Sequence, residues 1–106
     1  MANDYEVDER RTLAEAPGLR VRLLSLSGAQ CVPWHLHSTI TDTFFCRHGQ
    51  VRVLTRAPEA EYVLRAGEML AIPPNTAHYV ECGDSDSCSF IIVQGVGEYD
   101  YVELDP

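Results

Sequence analysis

The sequence predicts a single all-β domain built as a sandwich or a barrel. Its 106 residues can form one hydrophobic core and are too few for two. Turn-forming glycines and prolines recur at intervals of about ten residues, and the runs between them are rich in branched and aromatic side chains, which favour strands. Many short strands separated by such turns are typical of sandwiches and barrels.

Each predicted strand lies beside a turn signal. In order along the chain, the predicted strands are 19–26 after Pro17-Gly18, 44–46 before His48-Gly49, 51–55 before Ala57-Pro58, 61–64 before Ala66-Gly67, 69–72 before Pro73-Pro74, 77–82 before Gly83-Asp84, 89–94 before Gly95, and 99–104 after Gly97. The segment 12–16 is instead predicted to form a helical turn, which Pro17 and Gly18 would end. We treat 1–106 as one domain with an N-terminal arm at 1–18.

The charge of the chain argues against two classes of partner. Sixteen acidic residues and eight basic residues give a net charge of −8. An acidic surface repels the phosphates of nucleic acids and anionic membranes, so we expect neither as a partner. All eight basic residues are arginine, which excludes Schiff-base chemistry on a protein lysine.

The first residues of the sequence are polar and acidic. They include Asn3, Asp4, Glu6, Asp8 and Glu9, unlike the apolar region of a signal peptide. No apolar run approaches the length of a transmembrane helix. We therefore expect a soluble, cytoplasmic protein.

The four cysteines show no CxxC pair. They are Cys31, Cys46, Cys82 and Cys88. In a reducing compartment we expect buried, reduced thiols. The alternative is a disulfide between Cys82 and Cys88, which lie on either side of a turn.

Three histidines and one aspartate form the candidate metal site. Side chains two apart on a strand point to the same face, so His35 and His37 can reach a common point. His78, Val80 and Cys82 alternate along one predicted strand and would face the interior, with His78 at the start. Asp42, Phe44 and Cys46 alternate in the same way, with Asp42 at the start. Because Asp42 follows His37 at an odd spacing, i+5, a regular strand would point the two side chains to opposite faces, so we predict a bend or bulge within 38–41. The fourth histidine, His48, is predicted to be a solvated turn residue.

These residues resemble the two motifs of the cupin superfamily. The first motif, spanning 28–49, is Gly28-x6-His35-x-His37-x4-Asp42-x6-Gly49. The second, spanning 67–82, is Gly67-x5-Pro73-x-Asn75-x2-His78-x3-Cys82. The resemblance implies a double-stranded β-helix, or jelly roll, with a pocket between its two sheets. It also implies a divalent transition metal (iron, manganese, nickel, zinc or copper) bound by His35, His37, Asp42 and His78.

The sequence departs from the family pattern in one spacing and three residue types. Gly28 lies one residue further from His35 than usual, which a loop can absorb. Asn75 replaces a glycine, and asparagine is the residue that best replaces glycine at positive φ. Asp42 replaces the usual glutamate and shortens the reach by about 1.3 Å. Either its strand approaches the metal, or Asp42 binds through water or not at all, which leaves a three-histidine site. Cys82 replaces an asparagine.

The pocket beside the metal is expected to be apolar and thiol-rich. Its predicted lining residues are Phe44, Cys46, Val80 and Cys82, with Cys46 either an inert buried thiol or a reactive one. Such a pocket suits a small chelating organic molecule better than a charged one.

Three classes of function remain open from the sequence. The first is a metalloenzyme with dioxygenase-, isomerase- or lyase-like chemistry. The second is a binding or sensing module without turnover, and the third is a metal-free structural dimer. We expect a homodimer in which the segment 19–23 adds a strand to a sheet, although sheet closure within one chain explains the same residues.

Overall fold

Residues 5–106 are described by the computed structural model, in which two five-stranded antiparallel sheets pack face to face. The strands are β1 (Glu9–Ala16), β2 (Leu19–Ser27), β3 (Cys31–Leu36), β4 (Thr41–His48), β5 (Gln50–Arg56), β6 (Glu59–Arg65), β7 (Met69–Ile72), β8 (His78–Cys82), β9 (Ser87–Gly95) and β10 (Val102–Glu103). In this part of the chain there is no helix that is long and apolar enough to span a membrane.

The strand order is that of a double-stranded β-helix. The first sheet has the order β1-β2-β9-β4-β7 and the second has the order β10-β3-β8-β5-β6. Successive strands β3, β4 and β5 therefore alternate between the two sheets, as in a jelly roll. The predicted all-β jelly-roll fold is confirmed.

The core lies between the inner faces of the two sheets. Along β5 the inner residues Val51 and Val53 are fully buried, whereas Arg52 between them is only half-buried. The other sheet contributes Leu26, Phe44 and Phe90, each 0–1% exposed. This alternation is expected where one face of each sheet meets an apolar core and the other meets water.

The predicted strands agree with the observed ones through most of the chain. The 69–72 prediction matches β7 at both ends, and the 19–26 prediction is one residue shorter than β2. The last prediction, 99–104, is too long, because regular pairing is limited to Val102–Glu103.

The helical turn predicted for 12–16 is wrong. These residues form the second half of β1, which pairs with β2 on both sides of a register shift between Thr12 and Ala14. An isolated helical turn is poorly stable, whereas the neighbouring strand offers hydrogen bonds. β2 pairs on its other side with β9, so sheet closure within the chain accounts for the 19–23 segment. Residues 1–4 of the predicted N-terminal arm lie outside the described residues.

The expectation of four reduced cysteines is wrong for one pair. Cys82 at the end of β8 and Cys88 in β9 form a disulfide, with Cα atoms 5.6 Å apart. The turn between the two strands brings these Cα atoms into the usual disulfide range. Cys31 and Cys46 are free thiols.

Two motif residues, Gly49 and Asn75, lie in turns where the backbone φ is positive. Gly49, between β4 and β5, has φ of 70°, and a Cβ there would lie 2.2 Å from the carbonyl oxygen of Ser87. Asn75 has φ of 63°, which confirms the prediction that asparagine replaces glycine at this tight turn. The Asn75 N–H donates to the carbonyl oxygen of His37 at 2.7 Å, so this loop is tied to the end of β3.

Candidate metal centre

Four buried side chains converge at one end of the space between the sheets. His35, His37, Asp42 and His78 are each 1–3% exposed, and one potential ligand atom from each lies within 4.8 Å of the others. These four residues could therefore hold a metal ion. The exposed His48 lies outside this group, as predicted.

Backbone irregularities bring the four side chains together. The pairing of β3 with β8 shifts register between Val32 and His35, so that His35 lies directly opposite His78. Their ring centroids are 4.2 Å apart. The chain bends at residues 38 and 39 between β3 and β4, and this confirms the bend predicted from the odd spacing of His37 and Asp42. The bend returns the Asp42 carboxylate to the histidine side.

All three imidazoles are held in the same tautomer. Each ring donates its Nδ1–H to a main-chain carbonyl oxygen: His35 to Pro33 at 2.7 Å, His37 to Asp100 at 2.5 Å, and His78 to Thr76 at 2.8 Å. Because a carbonyl oxygen can only accept, Nδ1 carries a proton in each ring. The remaining nitrogen, Nε2, is the one that faces the centre of the cluster.

One carboxylate oxygen meets these nitrogens. Asp42 Oδ2 lies 3.0 Å from Nε2 of His37, 3.0 Å from Nε2 of His78 and 4.0 Å from Nε2 of His35. Two ligand atoms bound at right angles to one ion, each about 2.1 Å from it, are about 3.0 Å apart. The donor set therefore fits a first-row metal ion, and the aspartate reaches the cluster without the additional methylene of glutamate.

A second group fixes the direction of the Asp42 carboxylate. Gln94 Nε2 donates to Asp42 Oδ1 at 3.1 Å, and Gln94 Oε1 in turn accepts from Arg20 Nε at 3.1 Å. The Arg20 guanidinium lies 3.9 Å from the centroid of the Tyr99 ring. With Oδ1 occupied by Gln94, the carboxylate presents Oδ2 to the histidines.

The electrostatics of the cluster favour a cation. Burial, with repulsion from His78, lowers the pKa of His35 to about 3, so its ring is neutral at neutral pH. Burial opposes protonation of His37 as well, but the hydrogen bond and charge of Asp42 outweigh burial and raise its pKa. Burial also opposes ionisation of Asp42, yet the close contacts of its carboxylate with Nε2 of His37 and Nε2 of His78 outweigh burial and hold its pKa below the ordinary value. The cluster thus combines a carboxylate anion with a neutral imidazole.

The cavity beside the cluster has a volume of about 20 Å³, enough for a water molecule. Phe44 and Val80 line it, whereas Cys46 and Cys82 do not. Cys46 follows Asp42 by four residues, and Cys82 follows His78 by four. Four residues of strand span about 13 Å, so both cysteines lie far from the histidine and aspartate side chains of the cluster. The cavity is therefore not the thiol-rich pocket that the sequence predicted, because neither cysteine lines it.

Neither of these cysteines is positioned as a reactive thiol. Cys82 is bonded to Cys88. The Cys46 thiol donates to the carbonyl oxygen of Gly49 at 3.5 Å, and burial raises its pKa. An inert, buried Cys46 is the alternative that the structure supports.

Tyrosines cover the cluster. Tyr101 stacks on His35 with ring centroids 4.5 Å apart and planes 9° apart, and Tyr99 lies 5.2 Å from His37. Tyr5 in turn stacks on Tyr101 at 6.2 Å. All three rings line the cavity beside the cluster.

Five polar or aromatic residues of the cavity were not predicted from the sequence: Tyr5, Arg22, Gln94, Tyr99 and Tyr101. For two of them a signal was present: Arg22 has the parity of Leu24, and Gln94 has the parity of Ile92, so both lie on inner faces. Tyr5 lies outside the predicted strands. Tyr99 and Tyr101 have the same parity within the predicted strand 99–104, but the pattern did not indicate that this face meets the histidines, and regular pairing there is limited to Val102–Glu103.

Comparisons with known proteins agree with this architecture. The family model described as the cupin domain matches residues 24–102. No curated protein matches the chain. An uncharacterised conserved protein with a double-stranded β-helix domain from Klebsiella pneumoniae superposes with a TM-score of 0.81 at 17% identity, covering 100% of this chain and 90% of that one.

Two further structures share the fold. A cupin-2 domain containing protein from Shewanella frigidimarina gives a TM-score of 0.70 at 23% identity and covers 85% of this chain and 82% of its own. An oxalate decarboxylase gives a TM-score of 0.81 at 17% identity, covering 98% of this chain but 30% of the decarboxylase. Since the family model matches about three quarters of the sequence, this chain belongs to the cupin domain family.

Proposed function

We propose that this protein is a small metal-binding cupin that uses a divalent first-row metal to transform a small chelating organic molecule. His35, His37, His78 and Asp42 would hold the metal, the histidines through Nε2 and the aspartate through Oδ2. Iron, manganese, nickel, zinc and copper all accept this mixture of imidazole and carboxylate ligands. When bound, the metal supplies Lewis-acid or dioxygen chemistry, which suits a dioxygenase-, isomerase- or lyase-like reaction.

The observation that carries the proposal is the common orientation of the three imidazoles. Each Nδ1–H is held by a main-chain carbonyl, and each Nε2 faces Asp42 Oδ2. Carbonyl oxygens on the outer nitrogens are typical of histidines that bind metal, because they fix the tautomer and the ring direction. A buried cluster held this way supports metal binding more directly than the sequence motif alone.

The chain also provides groups that would act around the metal. Tyr99 and Tyr101 line the cavity and would limit the access of bulk water to the metal. Burial raises the pKa of Tyr101, so its hydroxyl stays protonated as a hydrogen-bond donor. Gln94 directs the Asp42 carboxylate. A metal that accepts more than four ligands would leave room beside these residues for a chelating substrate.

The second candidate function is a binding or sensing module without turnover. The small cavity favours it, because about 20 Å³ does not admit an organic molecule unless the covering tyrosines move. A metal sensor would need no such movement. The two functions make the same prediction about the metal and differ in what happens after it is bound.

Metal content tests the shared part of the proposal. The untagged, unchelated protein is expressed with several first-row metals and analysed for metal per chain, with H37A/H78A and H48A as variants. We expect about one ion per chain for the wild type and for H48A, and a near-complete loss for H37A/H78A. The exposed His48 makes H48A a matched control for the loss of an imidazole. Stoichiometric metal in the double variant, or none in the wild type, would contradict the proposal.

Reactivity of the metal-loaded protein separates the two candidates. Dioxygen consumption is measured with diketones, flavonols and thiols, and non-oxidative conversion of the same compounds is followed by mass spectrometry. Turnover that disappears in H37A/H78A supports the enzyme. Metal binding without turnover of any compound supports the sensing module.

A further inference from the structure

Three arginines share the inner face of the first sheet beside the candidate metal centre. Arg20 and Arg22 on β2 have the same parity as the buried Leu24, and Arg10 on β1 lies directly opposite Leu24. Side chains that pair directly across two strands point to the same face. We refer to Arg10, Arg20 and Arg22 as the arginine cluster. It contains three of the eight positive charges of the chain.

The arginine cluster has no acidic partner among residues 5–106. The salt bridges in that part of the chain involve other cations, although the sequence contains sixteen acidic residues. Arg22 Nε, Arg20 Nη2 and Arg10 Nε are buried donors without a hydrogen-bond partner there. The three side chains are half-buried, and Arg10 and Arg20 each donate one other hydrogen bond, to Tyr5 and to Gln94. Buried polar nitrogens are ordinarily paired, so the three unpartnered nitrogens on one face can accommodate an acceptor.

Such an acceptor would lie next to the metal ligands. Arg22 lines the same cavity as His35, His37 and Asp42. Arg20 lines an adjoining groove of about 250 Å³, and that groove and the cavity share Gln94 and Tyr99 as walls. The arginines therefore lie along a path from solvent towards the candidate metal site.

The cluster also repels itself. Burial lowers the pKa of Arg22, and the neighbouring charges of Arg20 and Arg10 lower it further. Like charges gathered at one place are stabilised by an anion that binds between them. The rest of this acidic protein would repel that anion, so the arginines provide local attraction where the overall charge does not.

We propose that Arg22, assisted by Arg20, binds a carboxylate of a small organic acid whose other end reaches the metal. This inference rests on the proposed function and names the class of its ligand. It replaces the expectation of an uncharged substrate, which depended on a thiol-rich pocket.

The walls of the cavity favour a carboxylate over other anions. The aromatic rings of Tyr101 and Phe44 line the cavity. A planar carboxylate accepts two parallel hydrogen bonds from one guanidinium and is thinner than a tetrahedral phosphate, so it needs less room in this small cavity. Once the covering tyrosines have moved to admit the molecule, a second carboxylate or oxo oxygen on it would reach the metal.

Malonate is a suitable probe, because it has two carboxylates. Its dissociation constant is measured by calorimetry at low ionic strength for the zinc-loaded wild type, R22Q, R22K and R11Q. Arg11 lies on the outer face of β1 with its side chain 63% exposed, so R11Q is a control with the same loss of charge. We expect R22Q to weaken malonate binding by about 10- to 100-fold, R22K to weaken it less, and R11Q to leave it nearly unchanged. Zinc stoichiometry should be the same in all four proteins.

The outcomes separate the inference from the proposed function. Equal malonate binding by the wild type and R22Q, or no binding by the wild type, overturns the arginine site even if zinc is bound. Competition by inorganic phosphate as strong as by malonate overturns the carboxylate assignment. If the wild type binds no zinc, the metal proposal fails, and the same comparison on the metal-free protein still decides whether Arg22 binds the acid. Circular dichroism of each variant confirms the fold, and R22K tests the site if R22Q does not fold.

Discussion

Gln94 donates a hydrogen bond from Nε2 to Oδ1 of Asp42 at 3.1 Å, and this contact decides which carboxylate oxygen faces the histidines. Gln94 itself is 6% exposed and is held by Arg20. The four candidate metal ligands are thus supported by β2 and β9 as well as by the strands that carry them.

Replacing Gln94 by alanine should weaken metal binding without removing a ligand. The Asp42 carboxylate would be free to rotate, and loss of such a supporting hydrogen bond ordinarily costs about 10- to 100-fold in metal affinity. Competition with a metal-binding dye measures the affinity for zinc. Affinity unchanged in Q94A would mean that the carboxylate is directed by the histidines alone.

Asp42 itself should contribute directly to metal affinity. D42N keeps the shape of the side chain and removes its charge, so we expect at least a tenfold loss, about 1.4 kcal/mol or more. The exposed Asp84 offers D84N as a control for the same chemical change. If D42N binds metal as tightly as the wild type, the centre is a three-histidine site and Asp42 serves only to orient the rings.

Tyr101 should control access to the metal. Y101A removes the ring stacked on His35, so we expect a chelator to extract the metal faster from Y101A than from the wild type. Loss of the stack should also lower the free energy of unfolding by about 1–2 kcal/mol. Y101F keeps the ring and serves as the control. Extraction at the same rate from Y101A and Y101F would show that the tyrosine does not limit access.

The Cys82–Cys88 disulfide should add measurable stability. The bond closes a short loop between β8 and β9, and the loop-entropy model gives about 2 kcal/mol for a loop of this size. Urea unfolding with and without reductant measures the difference. Thiol titration of the unfolded, unreduced protein should detect Cys31 and Cys46 only. Four titrating thiols would show that the pair is reduced in the purified protein.

The ligand cluster was predictable because strand parity is a local property. His35 and His37 differ by two residues, and the odd step to Asp42 required the bend that the structure contains. Asn75 was predictable for the same reason, since its positive φ is set by one turn. The aromatic residues around the cluster were not predictable, because Tyr101 reaches His35 from a segment with little regular strand pairing. The strand β1 was missed because it is stabilised by pairing with β2 and not by its own sequence pattern.

The stability of the metal-free protein should depend on pH through His35. Its pKa is about 3 in the folded protein and about 6.5 when unfolded, so the unfolded state binds the proton more readily. Stability from this group is therefore complete above pH 6.5 and falls as the pH drops towards 3. Between pH 8 and pH 5 the loss should be about 2 kcal/mol.

His37 acts in the opposite direction, and a variant separates the two. The pKa of His37 is raised in the folded protein, so its contribution is present at low pH and is lost as the pH rises through that value. Urea unfolding of the wild type and H35Q is measured from pH 8 to pH 5 in the presence of a chelator. The difference between the two proteins isolates His35, and H35Q should lose less stability on acidification. Parallel curves would mean that the folded protein protonates His35 as readily as the unfolded chain does, which contradicts a neutral imidazole at this position.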